Sequence, residues 1–140
     1  MKKLKYLIFT LAAILAMTSS CTQNGGHIGD IFGRWHLLRI EADNMEAPAQ
    51  NGDLFWAFQG DMFEMQLSHG NHAVSTTYGL YTLDDKTLTL TFPEERYSPF
   101  SETGLGRETR LEIIKLTYGE MTVIYRPTAD TSLTYYLRKW

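Results

Sequence analysis

Residues 86–92 read Lys86-Thr87-Leu88-Thr89-Leu90-Thr91-Phe92, with an apolar side chain at every second position. Successive side chains of a β-strand point to opposite faces, so Leu88, Leu90 and Phe92 share one face and the threonines the other. Threonine is branched at Cβ, which suits extended backbone better than helix. The stretch is a half-buried strand, and it sets the period by which its neighbours are read.

The same alternation recurs outward in both directions. Phe63, Met65 and Leu67 alternate with Glu64, Gln66 and Ser68, and Met121, Val123 and Tyr125 follow the same period more weakly. Strands are expected near Gly33–Asp43, Asp53–Gln59, Met62–Ser68, Ala73–Thr82, Lys86–Phe92, Thr109–Leu116, Glu120–Arg126 and Thr131–Trp140. The connections alternate in length. Asn44–Gly52, His69–His72, Pro93–Glu108 and Pro127–Asp130 form a longer set, and tight turns fall at Gly60-Asp61, Asp84-Asp85 and Tyr118-Gly119. In a meander, alternate connections lie at opposite ends, so one end is loopy and the other tight. Eight strands arranged this way close most simply into an all-β, antiparallel, up-and-down barrel. A two-sheet sandwich with Greek-key crossings is the alternative, but it does not require alternating loop lengths.

The first part of the chain follows other rules. Lys2, Lys3 and Lys5 precede an apolar run from Tyr6 to Met17, too short to span a bilayer comfortably and typical of a secretory signal. Thr18, Ser19 and Ser20 then lead to Cys21, the single cysteine. This junction resembles the lipobox of bacterial lipoproteins, although Thr18 stands where that family prefers leucine. The resemblance implies a signal peptide at 1–20, an acylated Cys21 held in a lipid bilayer, a tether at 21–32 and a barrel domain at 33–140. Thr22 in place of aspartate implies the outer membrane of a Gram-negative cell envelope, facing the periplasm.

Composition bounds the function. The chain of 140 residues is 44% hydrophobic and 21% charged, which is globular. Of its 13 basic residues three precede Cys21, leaving ten against 16 acidic ones and a net charge of −6 beyond it. No basic stripe exists to neutralise phosphates, so nucleic acid is not an expected partner. One cysteine excludes an internal disulfide and any cysteine-based zinc site.

Gly33-Arg34-Trp35 opens the first strand. Together with eight strands and one tight end, this resembles the G-x-W motif of the lipocalins. The chain is shorter than a true lipocalin and lacks that family's second, T-D-Y-like motif. It is more similar to compact lipocalin-like lipoproteins. The resemblance implies that Trp35 packs across the closed end against a basic residue of the last strand, Arg138 or Lys139, and that a small apolar or amphipathic molecule binds in the barrel mouth.

Trp56, Phe58, Phe63, Met65, Tyr78, Tyr125 and Tyr135 are the expected barrel lining, and they either bound a cavity or fill it. The loop Pro93–Glu108 is long for a structureless connection, and Phe100 or Leu105 in it suits a lid. His69 and His72 flank Gly70-Asn71, which reads as a hairpin turn rather than a metal site. No nucleophile elbow, metalloprotease helix or phosphate loop is present, so neither an enzyme nor a bound cofactor or metal is expected. Two functions remain: a tethered binder of small molecules, or an envelope lipoprotein whose filled barrel presents its loops to a protein partner.

Overall fold

A computed structural model describes Met1 and residues 29–140 of the chain. Cys21 and most of the expected tether lie outside the described residues. Eight strands follow in order: β1 (Gly33–Asp43), β2 (Asp53–Gln59), β3 (Met62–Ser68), β4 (Val74–Asp84), β5 (Thr87–Thr91), β6 (Glu108–Leu116), β7 (Glu120–Thr128) and β8 (Thr131–Lys139). Each pairs antiparallel with its sequence neighbours, and β1 also pairs with β8, so the meander closes on itself. Closure leaves no sheet edge unpaired.

The threonine-rich strand behaves as its period demands. Leu88 and Leu90 are fully buried inside the barrel, while Thr87, Thr89 and Thr91 face outward. In β1 the alternation breaks. Trp35 and Leu37 point inward, a register shift between Leu37 and Arg39 leaves Leu38 exposed, and Ile40 and Ala42 take over the inner face. This is a β-bulge, which adds one residue and bends the strand to follow the barrel wall. A second shift interrupts β6 between Ile113 and Lys115.

One expected loop is corrected. Pro127–Asp130 is expected among the longer connections, but β7 continues through Pro127 to Thr128, and only Ala129-Asp130 joins it to β8. Proline has no N–H to give the ladder, and pairing with β8 is irregular between Tyr125 and Thr128. Thr128 and Thr131 close the hairpin through their hydroxyls, 2.7 Å apart.

At the tight end the G-x-W residues are explained by contacts. Trp35 is fully buried and donates its indole Nε1–H to the Ile31 carbonyl at 2.8 Å. Lys139 Nζ lies 4.1 Å from the centre of the Trp35 ring, a cation–π contact. The same ammonium donates to the carbonyls of Asp30, at 2.9 Å, and Phe32. Gly33 has a φ of 114°, and a Cβ there would sit 3.4 Å from Lys139 Nζ. A side chain would be strained by the backbone and would crowd the ammonium. Of the two basic candidates, Lys139 sits on Trp35 and Arg138 faces solvent. Burial pulls the Lys139 ammonium below its usual pKa, and the charge of Asp30 opposes that shift.

Candidate functional site

The barrel interior is built on a row of cross-strand partners. Trp56 of β2 faces Met65 of β3, and Met65 faces Thr77 of β4. The next inward pairs are Phe58 with Phe63, and Phe63 with Gly79. Trp56 meets Phe63 edge-on at 5.7 Å and Tyr135 of β8 at 5.4 Å, while Phe58 and Phe63 lie 5.0 Å apart. Trp56, Phe58, Phe63, Met65 and Tyr135 are all shut off from solvent. In the resting structure these rings fill the barrel rather than bound an open cavity.

Two polar side-chain atoms in this apolar interior have no partner among the described residues: the indole Nε1 of Trp56 and the hydroxyl oxygen of Thr77. A buried N–H or O–H left unpaired costs about 1–3 kcal/mol, so such groups are uncommon in native cores. Both lie on the inner face of adjacent hairpins, in the row that runs through Met65.

The mouth is covered by the connection between β5 and β6. Its neck is clamped where Phe92 N–H donates to the Arg107 carbonyl and the Arg107 guanidinium donates to the Phe92 carbonyl, both at 2.7 Å. A short 3-10 turn, Ser101–Thr103, carries the loop across the barrel. The Tyr135 hydroxyl reaches up from inside and donates to the Thr103 carbonyl at 2.6 Å. Thr103 is fully buried, and its hydroxyl donates to the Phe100 carbonyl. Gly104, with φ 68°, follows; a Cβ there would fall 2.8 Å from Leu133 and 2.9 Å from Pro48, so only glycine lets the loop seat this low. Gln50 from the β1–β2 connection donates to the Glu102 carbonyl at 2.8 Å and ties the two mouth loops together. Phe100 and Leu105 pack part-buried against the core.

Burial holds the Tyr135 phenol far above its ordinary range, and the nearby Tyr125 phenol adds to the effect. Tyr135 therefore stays a hydrogen-bond donor throughout the physiological range. Tyr125 lies between Leu111 and Leu133 and faces inward, only partly buried.

Tyr78 does not line the interior, and that expectation is corrected. It pairs with the outward-facing Glu64 and stacks edge-on with Tyr97 at 5.4 Å on the outer wall. The inward positions of β4 on either side of Tyr78 are the small Thr77 and Gly79, and Tyr81 follows on the same face. A Cβ on Gly79 would lie 2.5 Å from the Thr91 carbonyl and 3.3 Å from the Phe92 ring. Small residues are needed there because Phe63 and Phe92 occupy the space. Tyr78 instead helps line an outer groove of about 360 Å³ with Met62, Leu80, Pro93 and Tyr97.

Sequence reasoning missed Thr77, Thr103 and Phe92 as site residues. Phe92 was detectable from its parity with Leu88 and Leu90. Thr77 was not, since the inner face of β4 runs through the small Thr77 and Gly79 before it reaches Tyr81, while Tyr78 and Leu80 point outward. His69 to Ala73 form a turn in which His69 N–H donates to the Ala73 carbonyl at 2.8 Å, and the His69 ring meets Ser75 at 3.1 Å. Among the described residues no three histidine, cysteine, aspartate or glutamate side chains converge. Besides the Tyr135 phenol and the Trp35 and Trp56 indoles, the buried polar side chains there are those of Thr77, Thr103 and Thr109.

A closed eight-stranded meander with a capped mouth and a Trp–Lys plug at its tight end is a lipocalin-type barrel. The chain belongs to the lipocalin-like domain family, whose model it matches over residues 15–139. The fold is similar to a lipocalin-like protein from Bacteroides uniformis at 18% identity and a TM-score of 0.55, covering 80% of this chain and all of that one. A Bacteroides eggerthii protein gives 17% identity and a TM-score of 0.57 over 79% of this chain and 99% of that one. Bovine odorant-binding protein, solved with its natural ligand, aligns at 16% identity and a TM-score of 0.48 over 87% of this chain and 77% of its own. No curated protein matches the sequence.

Proposed function

We propose that this lipocalin-like barrel binds a small, mainly apolar molecule bearing one hydrogen-bond acceptor, beneath the loop that runs from Phe92 to Arg107. The observation that carries the reading is the pair of unpartnered polar atoms, Trp56 Nε1 and Thr77 Oγ1, within an otherwise apolar interior. A carbonyl or ether oxygen placed there accepts from the indole, and its chain replaces contacts that Phe100 and Leu105 now make. The loop is held by few bonds, of which Tyr135 to Thr103 and Gln50 to Glu102 cross from it to other elements. Displacing it opens the mouth without breaking the strand ladder. In the same reading the lipobox-like junction at Cys21 tethers the barrel to the outer membrane of a Gram-negative envelope, and the barrel does no chemistry on what it carries.

A second reading has one observation in its favour. The interior is filled by Trp56, Phe58, Phe63 and Tyr135, as in a structural module that presents its mouth loops to another envelope protein. Native mass spectrometry of the mature protein, purified without delipidation, separates the two. The binder predicts a co-purifying adduct of a few hundred daltons that Trp56→Phe loses. A bare protein mass in both, with an envelope protein retained instead, supports the second reading.

A further inference from the structure

We infer that the tight-turn end of the barrel is a lipid-docking surface that rests on the membrane independently of any acyl chain. Large apolar side chains exposed on a small domain tend to be scattered. Here they gather. Among the described residues, every corner of the tight-turn end presents at least one: Phe32 before β1, Met62 after the β2–β3 turn, Leu83 before the β4–β5 turn, Tyr118 in the β6–β7 turn with Ile114 near the end of β6, and Trp140 after β8; Leu38 and Leu80 are exposed on the outer wall. The mouth end exposes only Met45 and Val74 in the same way.

Tyr118 is 82% exposed and Trp140 73% exposed. Trp140 is nevertheless held in place. Its N–H donates to the Arg34 carbonyl at 2.9 Å, and its indole meets His36 at 5.6 Å and Phe55 at 5.3 Å, edge-on in both cases. A fixed, solvent-facing indole beside an exposed tyrosine matches the amphipathic rings that settle at lipid headgroup level.

Charge points to the same occupant. Charges of both signs share this end: Arg34, Lys86, Lys115, Arg138 and Lys139 lie among Asp30, Asp61, Asp84, Asp85, Glu120 and Glu64, with Arg34 and Glu64 in one cross-strand row. The mouth connections carry five acidic side chains (Glu46, Glu94, Glu95, Glu102 and Asp130) against two basic ones (Arg96 and Arg107). An anionic membrane therefore repels the mouth connections more strongly than this end. The described chain preceding β1, residues 29–32, also joins the barrel here, at Gly33. The choice of a bilayer as the occupant rests on the envelope reading above; the apolar rim itself does not depend on acylation of Cys21.

The test uses the Cys21→Ser protein, which carries no acyl group at that position whatever the wild type does. It is mixed with phosphatidylethanolamine–phosphatidylglycerol vesicles containing dibrominated acyl chains. Trp35 and Trp56 are buried, so the difference between this protein and its Trp140→Phe form isolates Trp140 emission. Docking predicts a blue shift and at least twofold quenching of that signal. A Met62→Ser, Tyr118→Ser double variant should weaken vesicle partitioning about tenfold, whereas Met45→Ser, Val74→Ser at the mouth should leave it within twofold. The inference is overturned if Trp140 stays open to acrylamide at saturating vesicles, if the mouth variant loses as much binding as the rim variant, or if sedimentation shows the rim pairing with a second copy of the chain. Loss of the Cys21 anchor alone changes none of these readings.

Discussion

The hydroxyl of Tyr135, inside the barrel on β8, donates a 2.6 Å hydrogen bond to the main-chain carbonyl of Thr103, at the centre of the loop that covers the mouth. The bond couples the stacked aromatic interior directly to the cap above it, because the Tyr135 ring also packs against Trp56 at 5.4 Å. Whatever moves Trp56 is transmitted to the loop through one side chain.

Tyr135→Phe keeps the ring and removes the donor, leaving the buried Thr103 carbonyl without this partner. The variant should lose about 1–3 kcal/mol of stability. Amide exchange should rise selectively in residues 100–105, while β5 to β7 stay protected. Exchange that rises uniformly would mean that the loop has no local opening of its own.

Stability should fall at alkaline pH for the same reason. The Tyr135 phenol is raised in the folded state, first by burial and then by Tyr125. Its contribution is therefore complete below the ordinary tyrosine pKa of about 10 and is lost as pH climbs toward the folded value, because the unfolded chain releases that proton first. Between pH 9 and about 11, the guanidinium midpoint of the wild type should drop more steeply than that of Tyr135→Phe. Equal slopes would show that the hydroxyl is not buried.

Trp35 fixes the other end. Deleting its side chain in Trp35→Ala should cost about 3–5 kcal/mol, the range for a large aromatic lost from a packed core. Lys139→Met keeps most of the stem over the ring and should cost far less, since the carbonyls of Asp30 and Phe32 remain near solvent. Chemical denaturation of both variants checks the ranking.

The strands were legible because most of them obey a strict period of two, and the alternation of turn lengths was enough to close them into a barrel. Three features escaped, each for a physical reason. The bulge at Leu38 is invisible because Leu37 and Leu38 are chemically alike and either can point inward. Tyr78 was misplaced because Gly79 and Thr77 must be small to admit Phe63 and Phe92, a demand set by strands distant in sequence. Pro127 reads as a loop residue, yet it is carried where β7 and β8 lose register. The basic partner of Trp35 could be narrowed to Arg138 or Lys139 from the sequence, and only the three-dimensional contact distinguishes them.

The anchoring proposal makes its own prediction. Cys21→Ser should turn stable anchoring into reversible partitioning, so that repeated dilution and resedimentation of the membrane fraction releases the variant but not the wild type. A variant retained through dilution as fully as the wild type would show that acylation of Cys21 is not the anchor.

The central claim is that the barrel interior receives a ligand at Trp56. The most direct measurement follows the three tryptophan indole N–H resonances of the ¹⁵N-labelled protein during titration with a medium-chain ketone. Trp56 Nε1–H should move downfield as it gains an acceptor, Trp35 should hold because it already donates to the Ile31 carbonyl, and Trp140 should hold because it lies outside the barrel. Thr77→Val should weaken the response about tenfold, equivalent to one hydrogen bond of roughly 1.4 kcal/mol. A Trp56 resonance that stays fixed at saturating ketone, or a shift confined to Trp140, would contradict the account and leave the barrel a filled scaffold.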